Sequence, residues 1–388
     1  MVFTKKNELS VKIVLFCAMV LSCSESPDNQ NMHYVYRLEY DEIINIPISE
    51  YTSYTSNNLQ TFDYKKITYL AVENKHINGI QFYSLKEKKI VKELKIPEAG
   101  LGSISKIRGI SVVNFDSIFV YDSFTLSNTL LLNSDGDVLN KYTIREIDSS
   151  SYFNHASMTR IPSFYFNSKL YFFKIPGNEF EQDDFFDRGV LFEYEYDLIS
   201  GKTEYKHISW PNKYKNHSWG FLHTIPSRVL GHKGIFVYSF GIDPRLHVTD
   251  FRNYKKTPIA KSDYITDDIP PLKKGSQNPM QYFMEEDIYG MVLYDKYRHV
   301  YYRIAGLKSD YFDSSGKIRP ADLKPYTIII LNESFEKIGE TKLNPVGDFA
   351  IRDWFVGQQG LYISINSSTN KSISEDFMRF QLFKLSNQ

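Results

Sequence analysis

Hydrophobic and polar residues alternate with a period of two along most of the chain, a pattern typical of β-strands with one buried face. Phe192, Tyr194 and Tyr196, for example, fall on one face of a predicted strand, while Glu193 and Glu195 fall on the other. Aromatic and β-branched residues fill such segments, and glycine, asparagine and aspartate separate them. The pattern predicts an all-β protein with few helices.

A short apolar strand recurs six times, at intervals of 51 to 65 residues. Its copies begin at Ile67, Ile118, Leu170, Ile235, Val300 and Leu361. A third strand follows each copy, and a more polar fourth strand comes next; four of the turns between them are clear, at 85–89, 133–137, 199–202 and 332–336. Repetition of this kind predicts a six-bladed β-propeller. A pair of β-sandwiches is the alternative, but it would not explain six copies of one pattern.

The sixth repeat is incomplete. It offers three strands, at 349–352, 361–364 and 379–383, while an unassigned segment at 36–46 precedes the first repeat. If that segment supplies the outer strand of the last blade, the ring closes and two exposed strand edges disappear. We therefore predict that an N-terminal strand closes the last blade.

The longest insertions belong to two classes of loop. In a propeller, the loops from the second to the third strand and the loops between blades emerge on the same face. The insertions span 176–188, 306–324 and 366–376 in the first class, and 145–157, 210–220 and 261–280 in the second. Because loops on a rigid scaffold often carry function, we expect the site on this elaborated face. The alternative is that insertions accumulate where the fold tolerates them and carry no function.

The ligand-binding candidates on this face are aromatic, basic and histidine side chains: Arg160, Trp210, His217, Trp219, His223, Arg352 and Trp354. Two of the three tryptophans share one loop, and Arg352 and Arg160 are expected near the mouth of the central channel. Exposed tryptophan beside arginine suits a sugar, a peptide or a protein partner. The alternative is that the tryptophans fill gaps between blades and that the histidines pack or cap.

Charge and motifs exclude several function classes. The chain has 46 basic and 46 acidic residues, so no excess charge is available for a nucleic-acid partner. The nine histidines show no strong metal-ligand spacing, and no nucleophile motif or phosphate loop is present. We therefore predict no catalytic residue, no metal and no cofactor, and interpret the protein as a non-enzymatic binder. The alternative is a propeller hydrolase or lyase for a sugar or lactone, with a metal at the channel mouth.

The N-terminus carries an export pattern. Lys5, Lys6 and Lys12 precede an apolar run of nine residues at 13–21, which is shorter than the roughly 20 residues of a membrane-spanning helix. The run ends in Val-Leu-Ser-Cys23, which resembles the lipobox of bacterial lipoproteins, whose cysteine receives the lipid.

This pattern sets the predicted division of the chain. Residues 1–22 form a lipoprotein signal peptide, Cys23 is the lipidation site, 23–33 is a tether, and 34–388 is a single propeller domain. The membrane is then a partner through the lipid anchor, and we expect the protein at the outer membrane or cell surface. An ordinary secretory signal is the alternative.

Together, the lipobox, the aromatic strands and the six repeats resemble propeller lipoproteins of the Bacteroidetes, in particular the family known as domain of unknown function 4221. The resemblance covers residues 23–388 and rests on the overall pattern rather than on one motif. It implies a six-bladed fold and a location in the cell envelope. Because that family has no established activity, the resemblance assigns no catalytic residue.

Overall fold

The computed structural model describes residues 35–100, 102–122, 126–145, 155–175, 180, 182, 184–273, 275, 278–350, 352–371 and 373–387. The predicted signal peptide, Cys23 and the tether lie outside these residues. The segment Tyr34–Gln388 forms one compact unit. Its described part has 25 strands and two short α-helices, α1 (Phe221–Thr224) and α2 (Pro279–Glu285), so the all-β prediction is confirmed.

Four sheets follow one another along the chain, each built from neighbouring strands. The first contains β2 (Leu59–Tyr64), β3 (Ile67–Asn74), β4 (Gly79–Ser84) and β5 (Lys89–Lys95). The second contains β6 (Ile107–Asn114), β7 (Ser117–Asp122), β8 (Thr129–Leu132) and β9 (Val138–Tyr142). The third contains β10 (His155–Ala156), β11 (Phe164–Phe166), β12 (Lys169–Lys174), β13 (Glu193–Asp197) and β14 (Thr203–Lys206). The fourth contains β15 (Ser227–Leu230), β16 (Phe236–Ser239), β17 (Leu246–Thr249) and β18 (Lys255–Lys256).

The fifth sheet has eight strands and includes both ends of the described chain. In spatial order it contains β19 (Ile288–Asp295), β20 (Val300–Gly306), β21 (Tyr326–Asn332), β22 (Lys337–Lys342), β1 (Tyr36–Pro47), β25 (Phe377–Asn387), β24 (Gly360–Ser364) and β23 (Trp354–Gly357). A single parallel bridge, between Tyr36 and Gly339, joins β22 to β1. By contrast, β1 pairs with β25 along its length, so the predicted pairing of the N-terminal strand with the last strand is observed.

The recurrent apolar strand is the second strand of each repeat. The six copies are β3, β7, β12, β16, β20 and β24, and each begins within one residue of its predicted position. The predicted turns join third to fourth strands, and two of them share one mechanism. At 133–137 and 332–336, the side chain of Asn133 or Asn332 accepts hydrogen bonds from backbone N–H groups two and four residues later, at 2.9 to 3.0 Å. The side-chain amide thus fixes the turn locally.

Two first strands differ from expectation. The strand predicted at 349–352 is wrong, since the first strand of the last repeat is β23, which pairs with β24. Asp353 directly before it has a φ of 67°, a left-handed conformation that interrupts an extended strand. In the third sheet the first strand is split into β10 and β11, which both pair with β12.

The sheets are arranged as in a propeller, with first strands beside one another. Strand β2 contacts both β6 and β23, and β19 contacts both β15 and β23. Apolar clusters fill the spaces between sheets; Phe82 and Leu94 of the first sheet, for example, pack with Val120 and Leu130 of the second. No helix in the described ranges is long and apolar enough to cross a membrane.

Candidate functional site

Trp210 and Trp219 belong to a buried aromatic cluster on the elaborated face. We define this aromatic cluster by its six members, Phe185, Phe186, Phe192, Trp210, Tyr214 and Trp219. Both indoles are only 5% exposed, and the ring centroid of Trp210 lies 4.7 Å from that of Phe192. The expectation of an exposed tryptophan platform in this loop is therefore wrong. The alternative, that these rings fill gaps between blades, describes their packing.

Hydrogen bonds explain why these indoles point inward. Trp210 Nε1 donates to the carbonyl of Thr224 at 2.8 Å, and Trp219 Nε1 donates to the carbonyl of Tyr214 at 3.0 Å. Burial of an indole is favourable when its N–H group finds an acceptor. Both indoles therefore hold the segment that leads through α1 into β15.

Arg160 and His223 support the same segment. Arg160 Nη2 donates to the carbonyl of Ile225 at 2.6 Å. His223 is fully buried, and its Nε2 lies 3.1 Å from the carbonyl of Asp287. Burial lowers the pKa of His223 to about 3, so its imidazole is neutral at physiological pH. The structure thus brings Arg160, Trp210, Trp219 and His223 together as supports of one loop, while His217 is exposed beside Trp219.

Arg352 and Trp354 lie apart from that group and point in different directions. Trp354 is 1% exposed, and its Nε1 donates to the carbonyl of Ala350 at 2.6 Å. Arg352 is exposed, and its Nη1 donates to Asn57 Oδ1 at 3.2 Å. The expected exposed platform of tryptophan beside arginine is therefore wrong here too. Arg352 lines one cavity, whereas Trp354 lines another.

The cavity beside Arg352 is lined by cations from several segments. Two adjoining spaces, of about 300 Å³ and about 190 Å³, share Asn57, Glu73 and Lys75 in their walls. We define the basic cavity by its central residues, Asn57, Glu73, Lys75, Lys106, Arg108 and Arg352. Lys75 follows the second strand of the first sheet, and Lys106 precedes the first strand of the second sheet. By the connectivity of a propeller, both positions lie on the elaborated face.

One buried carboxyl group lies at the wall of the basic cavity. Glu73 is 7% exposed, and its Oε1 atom has no hydrogen-bond partner within the described structure. Burial raises the pKa of Glu73, although the positive charges of Lys75, Arg108 and Lys106 oppose this effect. The cavity therefore has a positive rim above a buried carboxyl group.

A second buried carboxyl group lies behind the rim. Asp353 is 2% exposed, and its Oδ2 accepts a hydrogen bond from the backbone N–H of Ser56 at 3.3 Å. Burial raises the pKa of Asp353 to about 7, whereas the neighbouring Arg352 favours the charged form. Ser56 also lines the cavity. The charge at this end of the cavity therefore depends on pH.

Sequence reasoning missed Lys75, Lys106 and Arg108. Lys75 is distant in the sequence from Lys106 and Arg108, and the three form no motif, so only the repeat can reveal them. In each repeat, the residue after the second strand and the residue before the first strand reach the same face. A search for cations at those positions would have selected Lys75 and Lys106.

The central channel is different in character. First strands of several sheets line a cavity of about 220 Å³ there, with Leu59, Val229, Leu293 and Trp354 in its wall. Among the described residues that line it, none is a histidine and none carries a carboxyl group. The polar side chains in its lining are Gln60, Thr61, Thr159, Tyr294, Lys296 and Tyr297.

Comparisons with known proteins agree with this fold. The sequence matches the family described as Domain of unknown function (DUF4221) over residues 35–342. The crystal structure of a family member from Bacteroides vulgatus has a TM-score of 0.79 and 25% sequence identity, and the match covers 92% of this chain and 99% of that chain. A protein from Bacteroides fragilis has a similar fold, with a TM-score of 0.55 and 11% identity over 91% of this chain and 96% of that chain.

A comparison with curated protein sequences finds no match. The family resemblance drawn from the lipobox, the strands and the repeats is confirmed by the comparison of sequences and by that of structures. Because the family match covers most of the sequence, this chain belongs to the DUF4221 family.

Proposed function

We propose that this protein is a cell-envelope binding protein that recognises an anionic ligand, best an acidic sugar, at the basic cavity. The convergence of Lys75, Lys106, Arg108 and Arg352 around two adjoining spaces that share Lys75 carries this proposal. In the described structure none of the four forms an ion pair with a carboxylate. Their charges are available to a ligand, and charge-assisted hydrogen bonds to a carboxylate are stronger than neutral ones.

The rest of the lining favours a sugar over a peptide. Hydroxyl and amide side chains line the smaller space beside Lys75 and Arg352, and they match the donors and acceptors of sugar hydroxyl groups. They are Thr52, Ser53, Thr55, Ser56, Asn57 and Asn74. The larger space, about 300 Å³, is at the lower end of the range for small-ligand pockets. An acidic sugar residue or a short acidic oligosaccharide fits that size and charge.

The lining of the central channel is mostly apolar and includes no described histidine or carboxyl group, which favours binding over catalysis on the axis. An enzyme site needs groups whose pKa values are tuned for proton transfer and which lie close to the reacting atoms. The channel residues Leu59, Val229 and Leu293 supply packing surface instead.

We also propose that the fold has six blades. Just one ladder pair, Tyr36–Gly339, joins the two four-stranded halves of the eight-stranded sheet. Counting those halves as two blades, one of them closed by β1, gives six with the other four sheets. This count matches the six copies of the apolar strand in the sequence.

The location in the envelope is part of the proposal. It is supported by the lipobox at Cys23 and by the Bacteroides fragilis protein of similar fold, which is named as a candidate exported protein. Replacement Cys23→Ala is expected to abolish incorporation of labelled fatty acid and attachment to membranes. Continued lipid labelling of that variant would contradict the anchor.

The binding proposal is tested by titrating galacturonate and digalacturonate into the purified protein and measuring heat release. Arg108→Ala and Lys75→Ala are each expected to weaken binding about tenfold, since a lost charge-assisted hydrogen bond is worth about 1.4 kcal/mol or more. Lys255→Ala is the matched control, because it removes an exposed lysine from the outer strand β18. Galactose should not bind measurably.

Three results would contradict this assignment. Equal affinity for galactose would show that charge is not recognised. Unchanged affinity in both cavity variants would place the ligand elsewhere. Binding of poly-glutamate without any binding of galacturonate would make the partner an acidic peptide.

A further inference from the structure

Two histidines and a glutamate meet on the face opposite the elaborated one. His232 lies in the connection from β15 to β16, and His299 lies in the connection from β19 to β20. Glu333 lies in the turn from β21 to β22. Loops of these two classes, from first to second and from third to fourth strands, share one propeller face. Among the described residues, this His–Glu cluster is the one group of three side chains that offers metal-ligand atoms at close range.

The distances within the His–Glu cluster are short. His232 Nδ1 lies 3.2 Å from Glu333 Oε1, and His299 Nδ1 lies 3.0 Å from the same oxygen. All three ligand atoms lie within 4.8 Å of one another. With metal–ligand bonds of about 2.0–2.1 Å, ligand atoms of a tetrahedral zinc site are about 3.3 Å apart. Two of the three separations are already close to that value.

Surrounding groups hold the ligands in place. The Tyr294 hydroxyl donates a hydrogen bond to Glu333 Oε1 at 2.7 Å. The backbone N–H of His232 donates to the Tyr301 hydroxyl at 3.1 Å. That contact requires the glycine at 231, because a Cβ atom on Gly231 would lie 2.2 Å from the Tyr301 hydroxyl oxygen. Such supporting contacts orient ligands in known metal sites.

We propose that His232, His299 and Glu333 form a binding site for a divalent transition-metal ion, with zinc as the best match. Two imidazole nitrogens and one carboxylate oxygen are a donor set that zinc uses in proteins. Calcium and magnesium prefer oxygen ligands throughout, so this set disfavours them. A fourth position remains for water, because His299 and Glu333 are partly open to solvent.

The Glu333 carboxylate already collects contacts from both sides. Its Oε1 atom accepts the hydrogen bond from the Tyr294 hydroxyl and lies 3.0 Å from His299 Nδ1. A carboxylate accepts several hydrogen bonds, so the Tyr294 contact leaves lone pairs for a metal ion.

The site joins two parts of the ring. His232 belongs to the fourth sheet, whereas His299 and Glu333 belong to the sheet that begins with β19. A bound ion would therefore link neighbouring sheets and stabilise the folded protein by mass action. The inference is independent of the basic cavity, which lies on the elaborated face between other repeats.

The experiment uses the purified full-length protein after treatment with EDTA. Zinc chloride is titrated into it, and heat release and the Tm are measured. We expect one zinc ion per chain and an increase in the Tm. Cobalt(II) in place of zinc should give the visible absorption of a tetrahedral site, which reports the coordination directly.

Variants locate the ion. His299→Ala and Glu333→Gln are each expected to weaken zinc binding at least a hundredfold, and Glu333→Gln preserves the side-chain shape. His207→Ala is the matched control, since it removes an exposed histidine elsewhere and should leave zinc binding unchanged. Circular dichroism verifies that each variant is folded.

The alternative results are equally clear. Absence of zinc binding to the folded wild-type protein at micromolar concentrations overturns the proposal. Unchanged binding in both His299→Ala and Glu333→Gln also overturns it, because the ion would then be held by other groups. Loss of binding in these variants, with the control unaffected, supports it.

Discussion

The elaborated face has two regions that solve different physical problems. Around the third and fourth sheets, two long segments fold inward and bury the aromatic cluster. One of them precedes β13 and the other follows β14. Around the first and second sheets, the basic cavity stays open, and only 75–78 separate β3 from β4. The comparison shows that long insertions around the third and fourth sheets cover the scaffold, whereas Lys75 of the basic cavity lies in a short connection.

The side chains explain the contrast. An aromatic ring gains free energy by leaving water, provided that any N–H or O–H group it carries finds a partner. Trp210 and Trp219 meet that condition through backbone carbonyls. Lysine and arginine lose hydration on burial, so Lys75, Lys106 and Arg108 remain at the surface even where the chain brings them together.

Both regions depend on an intact ring, and removal of β1 is expected to have the largest effect. Deleting Tyr36–Pro47 exposes the edge of β25 and removes the buried Leu38, Ile44 and Ile46. We expect the Tm to fall by roughly 10 °C or more in a thermal melt. Deletion of 24–30 is the control and should leave the Tm nearly unchanged. Two separate transitions would mean that the regions are not parts of one cooperative unit.

Truncation within the aromatic cluster tests the packing side of the comparison. Trp210→Ala should lower the free energy of unfolding by about 3–5 kcal/mol, since it leaves a cavity and an unpaired carbonyl at Thr224. Phe221→Ala is the matched control, because that ring is 43% exposed and its loss should cost much less. Equal effects in urea unfolding would show that burial in this cluster contributes little.

The pH dependence of the free energy of unfolding tests the second region of the comparison, the basic cavity. The pKa of Asp353 is raised to about 7 from 3.8, so the unfolded chain ionises this group at lower pH than the folded protein does. The free energy of unfolding therefore falls progressively as the pH rises from about 4 to about 7, by about 4 kcal/mol at most. Asp353→Asn should remove this loss and become more stable than the wild type above pH 7. A parallel pH profile for both proteins would contradict the raised pKa.

The smallest effect is expected at His217, which lies exposed beside the aromatic cluster. His217→Ala should change the free energy of unfolding by no more than about 0.5 kcal/mol and leave galacturonate binding unchanged. A tenfold loss of affinity in the same titration would instead extend the binding region from the basic cavity toward the aromatic cluster.

Sequence reasoning succeeded where structure is local or repetitive. The second strands and the asparagine turns follow from alternation and turn chemistry, and the partner of β1 follows from the incomplete sixth repeat. It failed at 349–352, because a left-handed Asp353 is not encoded in the apolar pattern. It also wrongly predicted that the tryptophans are exposed. The sequence shows that an indole ring is able to bind a ligand, but it does not show whether a backbone carbonyl lies close enough to accept the indole hydrogen bond and favour burial.

The sequence by itself determined the all-β class, the recurrent strand and the family. Period-two alternation can be recognised within a single strand, and the repeat can be recognised by comparing such strands along the chain. Only the tertiary structure decided which side chains meet. Lys75 and Arg108 reach one cavity, and His232 and Glu333 reach one cluster, because different repeats place them on common faces. Such contacts join residues far apart in the chain, and their geometry arises from the packing of sheets around the ring.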